Sequence, residues 1–498
     1  MAGRVVALIV TLLTLGPLAL VAWRAEGGWG ADWPALRFTV TQAAVSAGLS
    51  VLLAVPVARA LARRRFRGRG ALIALLGAPF LLPVIVAVLG LLAVFGRSGL
   101  LNGALGVAGL PNVQIYGLHG VVLAHVFLNM PLAVRLILQG WQAIPSERFR
   151  LALSLGFGPR DIARHLERPM LREVLPGTAV VIFAICLTSF AVALTLGGGP
   201  RATTVELAIY QALRFQFDLG RTASLAALQC LICAAAVLLA MRLSVPPGFG
   251  KGLDRVVAFA PPGWRRIADA LVLMLATLFI ASPLAMIAAR GLPGMMDLPQ
   301  AVWAAAGRSV LVALGSTALT VAAALALAGG GRGMGLMATL PLAASSLVMG
   351  TGLFIAIWPF IAPERVALPV TLLVNAVLAL PFAYRILAPA MGALRADYGP
   401  LADTLGLRGM SRLRWLVLPR LRRPLGFAAG VTAALSMGDL GVIALFAAPD
   451  GPTLPLLVQQ LMGAYRMEQA AAAALLLVLL SFGLFLLFDW GGRRGSDL

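Results

Sequence analysis

Apolar residues in this chain do not alternate with polar ones over short stretches; they run. Twelve runs stand out, at about residues 5–23, 39–60, 71–95, 118–139, 174–197, 222–241, 267–289, 304–328, 335–361, 367–389, 425–447 and 467–489. A helix needs about 20 mostly apolar residues to cross roughly 30 Å of hydrocarbon, and inside a bilayer only a helix or a closed barrel satisfies its own backbone. Each run has helix length, so the pattern predicts an all-α membrane protein with about 12 transmembrane helices. Composition agrees: 60% of the 498 residues are hydrophobic and 12% are charged, against about a quarter charged in a soluble domain.

The net charge of +21 could suggest nucleic acid, but the cations lie in short clusters between apolar runs rather than on one polar domain. There they set orientation, and a nucleic-acid partner is dropped. With the N-terminus inside, 30 Lys/Arg fall on the cytoplasmic side and ten on the other, which predicts that both termini are cytoplasmic. Val21-Ala22-Trp23 is a poor cleavage site, and losing one run would spoil the parity, so the first run is kept as a span. Cys186, Cys230 and Cys233 lie within apolar runs and the only histidines are His119, His125 and His165, a poor basis for a disulfide framework or a metal site. Lys251 stands in Gly250-Lys251-Gly252 without the spacing of a phosphate-binding loop. No cofactor is expected in this chain, and any ATP with its Mg belongs to a partner.

Sliding the chain by 250 residues places Pro131-Leu132-Ala133-Val134-Arg135 on Pro381-Phe382-Ala383-Tyr384-Arg385. The same offset pairs Leu151, Ala152, Leu155 and Gly156 with Leu401, Ala402, Leu405 and Gly406, then Pro169 with Pro419. The reading is a tandem duplication of six spans: a first repeat over 1–245, a cytoplasmic linker over 246–266 and a second repeat over 267–498. Six is even, so both repeats enter the membrane the same way round.

The matched segments, about 140–173 and 390–424, are cytoplasmic and lie between the fourth and fifth span of each repeat. Each opens with an acid, Glu147 or Asp397, placed to cap a helix N-terminus. A short helix follows, with Leu151, Ala152 and Leu155 (or Leu401, Ala402 and Leu405) expected on one face. Gly156 and Gly406 then fall where a helix commonly ends in a left-handed residue. A turn leads to a second, basic helix expected to run to Pro169 or Pro419. A helix lying on anionic lipid would also suit the arginines. Its duplication with the same spacing from Gly to Pro favours a docking element for a cytoplasmic partner.

The pattern of Ala, Gly four residues on and Pro thirteen later resembles the coupling-loop signature of binding-protein-dependent ABC importer permeases. That family carries an acid where this chain has Arg150 and Pro400. Segments such as LPVIVAVLGLLAVFGRSGLLN, SFAVALTLGGGPRATTVELAIYQAL and GDLGVIALF resemble the fused permeases of bacterial thiamine/thiamine-pyrophosphate importers. The resemblance implies two type I permease repeats fused in tandem and a subunit of the bacterial inner membrane that is not itself an enzyme. It implies as partners an ATPase subunit in two copies, a periplasmic solute-binding protein and the lipid bilayer. Substrate would move from periplasm to cytoplasm by alternating access.

Other readings are an ABC permease for another small solute such as iron(III) or an anion, a 12-span secondary transporter, or an intramembrane enzyme. A secondary transporter would place its long loop between the sixth and seventh spans and tends to carry several intramembrane acids; here one clear acid occurs, Asp439. No nucleophile–base or metal constellation suggests an enzyme. Asp439, with Ser189 as its mate at the 250 offset, is read as facing the substrate path, or alternatively as bound to helix N–H groups beside Gly438 and Gly441. On the outer face, Thr203-Thr204-Val205-Glu206 reads as a capping box in which Thr203 and Glu206 help to seat the binding protein, with ordinary loop packing as the alternative.

Overall fold

The computed structural model describes residues 2–25, 33–199, 202–243, 263–331, 333–447 and 451–494; most of the expected linker, residues 246–262, lies outside them. Among the described residues there is no strand. Eleven helices are long and apolar enough to cross a membrane: Gly3–Arg24 (span 1), Trp33–Arg63 (2), Val84–Val107 (3), Leu118–Ala143 (4), Pro159–Leu187 (5), Leu219–Ala240 (6), Trp264–Gly291 (7), Gln300–Ala328 (8), Pro363–Thr404 (10), Arg422–Phe446 (11) and Met467–Arg493 (12). The pair Met334–Leu342 and Ser346–Ile357, bent by 93°, is a broken span or a re-entrant loop and is numbered span 9. Each corresponds to one of the twelve apolar runs.

The continuity of several spans differs from the expectation. The run at 71–95 is not one helix: it divides into Arg69–Leu75, Ala78–Leu81 and Val84–Phe95. Proline disfavours the helical region for the residue before it, and Leu82, ahead of Pro83, is extended with ψ 128°. In span 9 the corresponding restart is capped by Ser345, whose hydroxyl accepts the N–H of Val348 at 3.1 Å. The expected span 174–197 breaks at Thr188–Ser189 before Phe190–Leu196, and span 11 breaks at Gly438–Leu440 before Gly441–Phe446. The two breaks thus sit at matching positions in the two repeats.

Small residues explain how the spans approach. Span 2 buries Ala43, Ser46, Ala47, Ser50, Ala54 and Ala58, and span 8 buries Ala305, Ser309, Ala313, Ser316, Thr320 and Ala324. These stripes recur every three or four residues, on one helix face, and let helix backbones come close in a membrane. Span 2 packs against spans 4 and 5, and span 8 packs against spans 10 and 11. Several polar members of the stripes and their neighbours find partners, although the buried hydroxyl of Ser50 has none. Ser316 donates to Ser436 Oγ at 2.8 Å, Asn375 Nδ2 donates to the same oxygen at 3.0 Å, and Ser46 Oγ lies 3.2 Å from His125 Nδ1.

The first span of each repeat crosses to the other. Span 1 packs on spans 8 and 9 as well as on span 6 of its own repeat, and span 7 packs on spans 2 and 3 as well as on span 12 of its own. The largest apolar core accordingly draws on both repeats, from Ala43 to Leu477. Hydropathy carries no trace of these crossed contacts, because a span that reaches the other repeat needs the same apolar length as one that does not.

Candidate coupling site

Between spans 4 and 5 the chain leaves span 4 at Ile144, which is extended ahead of Pro145, and forms the short helix Ser146–Ser154. Glu147 does not cap this helix as expected, since the cap position is Pro145 with no side-chain cap bond; it lies in the first turn, where a carboxylate complements the helix dipole. It accepts from the Ser146 hydroxyl and from Arg150 Nη2, both at 2.9 Å. Its own backbone N–H, then the Ser146 hydroxyl, hold this exposed carboxyl below its usual range.

The second repeat corrects the expectation for Asp397. Span 10 runs on as one 38-residue helix to Thr404, so Asp397 lies in its interior and caps nothing. The position matching Pro145 at the 250 offset is Arg395, which continues the helix where proline and its predecessor interrupt it.

From there the two segments coincide. The N–H of Gly156 reaches the carbonyl of Leu153 at 3.1 Å and that of Phe157 reaches Ala152 at 2.9 Å. Gly406 to Asp403 at 3.1 Å and Leu407 to Ala402 at 2.9 Å repeat the pair. These crossed bonds are a Schellman end. Its left-handed residue is glycine in both, with φ +73° at Gly156 and +67° at Gly406. The expected apolar face is corrected in one respect. Leu151 and Leu155 are 61% and 64% exposed and Leu401 and Leu405 are 56% and 65% exposed, whereas Ala152 and Ala402 are buried. Each segment therefore buries its alanine and offers two leucines outward.

A second helix follows, Pro159–Ile162 or Gly409–Arg412, and widens into a five-residue π-helical stretch, Ala163–Glu167 or Leu413–Val417. Pro169 and Pro419 do not end these helices, as the sequence had suggested. Each lies just beyond the π stretch, inside the helix that follows. Proline lacks an N–H and crowds the carbonyl four residues back, and a π turn, which frees that register, accommodates it. The first repeat then runs directly into the rest of span 5, whereas the second pauses at Leu421 before span 11.

The expectation for Thr203 and Glu206 is also corrected. The cap of helix Val205–Gln211 is Thr204, whose hydroxyl accepts from the N–H of Leu207 at 3.2 Å, and not Thr203, whose hydroxyl donates to the carbonyl of Gly199 at 3.5 Å. Glu206 is fully buried and accepts from Gln229 Nε2 at 3.2 Å. It packs the loop onto span 6 and presents nothing to a partner. In the membrane, Ser189 and Asp439 each stand at the break of their span. The Asp439 carboxylate accepts from the backbone N–H groups of Gly441 and Val442, the alternative foreseen for it. Its Oδ2 is out of contact with solvent and has no hydrogen-bond partner. A cluster at the C-terminal end of span 2, Arg59 and Arg63 with Glu167 and Trp141, was not foreseen. The four-residue spacing of the arginines, which places them on one helix face, was its signal in the sequence.

Eleven or twelve apolar membrane-spanning helices among the described residues, with the same exposed hairpin recurring at the 250 offset, fit the permease subunit of an ABC importer. Comparison with known proteins makes the assignment particular. The chain is 39% identical over 513 aligned residues, 98% of its length and 94% of the relative's, to the thiamine transport system permease protein ThiP of Brucella abortus. It is 39% identical to that of Salmonella typhimurium over 97% of its length and 94% of the relative's, and 38% identical to that of Escherichia coli over the same shares. A molybdenum transport system permease protein, ModB of Mycobacterium bovis, is 30% identical over 231 residues, 45% of this chain and 86% of that protein. A whole permease of that size thus fits within half of this chain. No protein-family model matches. The chain belongs to the family of ThiP thiamine transport permeases, multi-pass proteins of the inner membrane.

Proposed function

We propose that this chain is the membrane path of an ATP-driven importer for thiamine or thiamine phosphates. In this reading a periplasmic binding protein delivers the substrate to the outer face. Two copies of a separate ATPase, which holds the ATP and Mg, dock on the hairpins at Leu151–Gly156 and Leu401–Gly406. Both termini are then cytoplasmic, as the threefold excess of cations on that side supports. The observation that carries the reading is the duplicated Schellman turn with two exposed leucines on each hairpin. An apolar pair of this kind on an otherwise basic surface suits the groove of a protein partner better than water. Closure of the ATPase pair on ATP would displace both hairpins, and the spans that follow them would carry the motion into the bilayer.

The substrate path is proposed to pass the paired breaks at Ser189 and Asp439. A charge in the membrane is costly and is usually kept where it serves a path or a partner. Oδ2 of Asp439, without a hydrogen-bond partner and shielded from solvent here, would meet the positive thiazolium of thiamine once alternating access opens the break. The test is uptake of labelled thiamine by proteoliposomes holding the chain, its ATPase and its binding protein. ATP-dependent uptake is expected in the native protein. Asp439→Asn, which keeps the shape of the side chain, is expected to lower uptake by about tenfold, the weight of one buried ionic contact, with ATP hydrolysis retained. Native uptake in Asp439→Asn would leave Asp439 as a helix-end anchor alone.

A further inference from the structure

The two hairpins are joined to their repeats by different chemistry. Glu167 ends the π stretch of the first one and is 3% exposed. Three donors converge on its carboxylate: Arg63, Arg59 Nη2 at 3.1 Å and Trp141 Nε1 at 3.4 Å. Arg59 and Arg63 belong to span 2, and Trp141 to the C-terminal end of span 4. The next residue of the span 2 helix end, Arg64, reaches Asp269 of span 7 with Nε–Oδ2 2.6 Å. An ionic chain therefore leads from the first hairpin through span 2 to the span that the second repeat sends across.

At the matching place in the second repeat, Glu167 and Trp141 are replaced by Val417 and Met391. Val417 lies in an apolar cluster with Met391, Leu394, Leu421 and Ala328 of span 8. Apolar contact is non-directional and tolerates sliding, whereas charge-assisted hydrogen bonds fix distance and angle. A buried ion cluster is also seldom a source of stability, since an apolar set of similar volume is often as good or better. The asymmetry therefore calls for a role other than holding the fold.

Resting on the importer reading above, we propose that Glu167 is a positioning residue for transport: with Arg63, Arg59 and Trp141 it makes the first hairpin a rigid lever on spans 2 and 7, while the second hairpin bears on its repeat through a joint that slides. The two strokes of the ATPase pair then do unequal work, and the first is the one that sets the path in motion.

Glu167→Gln alone leaves Arg63 buried without its counter-charge and is expected to be scarce in the membrane. The decisive variant pairs Arg63→Leu with Glu167→Val, which copies the apolar joint of the second repeat. In proteoliposomes with the ATPase and binding protein, its thermal stability is expected to match the native protein and its ATP hydrolysis to stay within about twofold. Thiamine taken up per ATP is expected to fall by about tenfold or more, the size of coupling lost when residues of one network are separated. Native uptake per ATP in the paired variant would overturn the proposal. A second readout does not depend on the substrate. Nitroxides at Arg160→Cys and Arg266→Cys, with Cys230 changed to Ser, report the distance between the first hairpin and span 7 before and after ATP is added with the ATPase. That distance is expected to hold in the native joint and to change in the paired variant. A native protein that binds the ATPase but takes up no thiamine would refute the substrate alone, and the nitroxide distances would still decide the lever. Equal distances in both proteins would sink it.

Discussion

The hairpin of the first repeat hangs from a broken helix, and that of the second grows from an unbroken one. Span 4 ends at Ala143 and Pro145 starts the short helix afresh, whereas span 10 carries its helical path through Arg395 and Asp397 to Thr404. Beyond that point the two agree in detail: a buried alanine, two exposed leucines, a left-handed glycine, a π stretch and a proline, all at the 250 offset. What differs is the route to the hairpin and its attachment; what agrees is the shape it presents.

The sharpest way to break the comparison is to force the first route on the second repeat. Arg395→Pro puts a proline into the interior of a continuous helix, at a cost of about 3 kcal/mol or more. It also removes the Arg395 side-chain bonds to the carbonyls of Gly329 and Gly330. A thermal melt of the purified protein is expected to show a large loss of stability. An unchanged melt would mean that the continuous span is incidental.

A smaller effect is expected where the hairpins agree. A β-carbon at Gly156 or Gly406 would meet no atom within 4 Å, so Gly156→Val and Gly406→Val act through backbone conformation alone, at roughly 1–2 kcal/mol each. Each single variant is expected to insert normally and to weaken copurification of the ATPase, and the double variant to lose most of it. Full copurification by the double variant would show that the left-handed turn does not shape the docking face. The smallest change is expected from Pro145→Ala. Its cost is about 0.4–1 kcal/mol, mainly through a freer unfolded chain, and ATPase binding should be unaltered. A strong loss of binding there would make the route itself part of the docking site.

Much of this was legible before the fold was known. Apolar length alone located the spans, because a bilayer offers the backbone few alternatives. The 250 offset located both hairpins, and glycine at both turn positions announced the left-handed backbone. Other features turn on what the neighbours do. Asp397 looks like a cap because Glu147 sits in a first helical turn, but a cap needs a helix end, and Arg395 in place of Pro145 removes that end. Thr203 and Thr204 are equivalent as letters; only the backbone, with Thr204 extended and Val205 helical, selects the second. Glu206 reads as exposed on a polar-looking loop, yet that loop folds back against Gln229 of span 6. Pro169 and Pro419 look like stops because the compensating π turn has no signature in residue types. The crossed contacts of spans 1 and 7 are a matter of partner choice, which composition does not encode.

The proposed function requires that two hairpins of the same shape on one chain each dock an ATPase subunit. Site-directed cross-linking tests it most directly, with cysteines at Leu155 and Leu405, both exposed, joined to a cysteine in the ATPase groove in native membranes. The account predicts an adduct from each single variant and, from the double variant, a species of one permease with two ATPase subunits. Adducts from one hairpin only, with no species beyond one ATPase per chain, would contradict it.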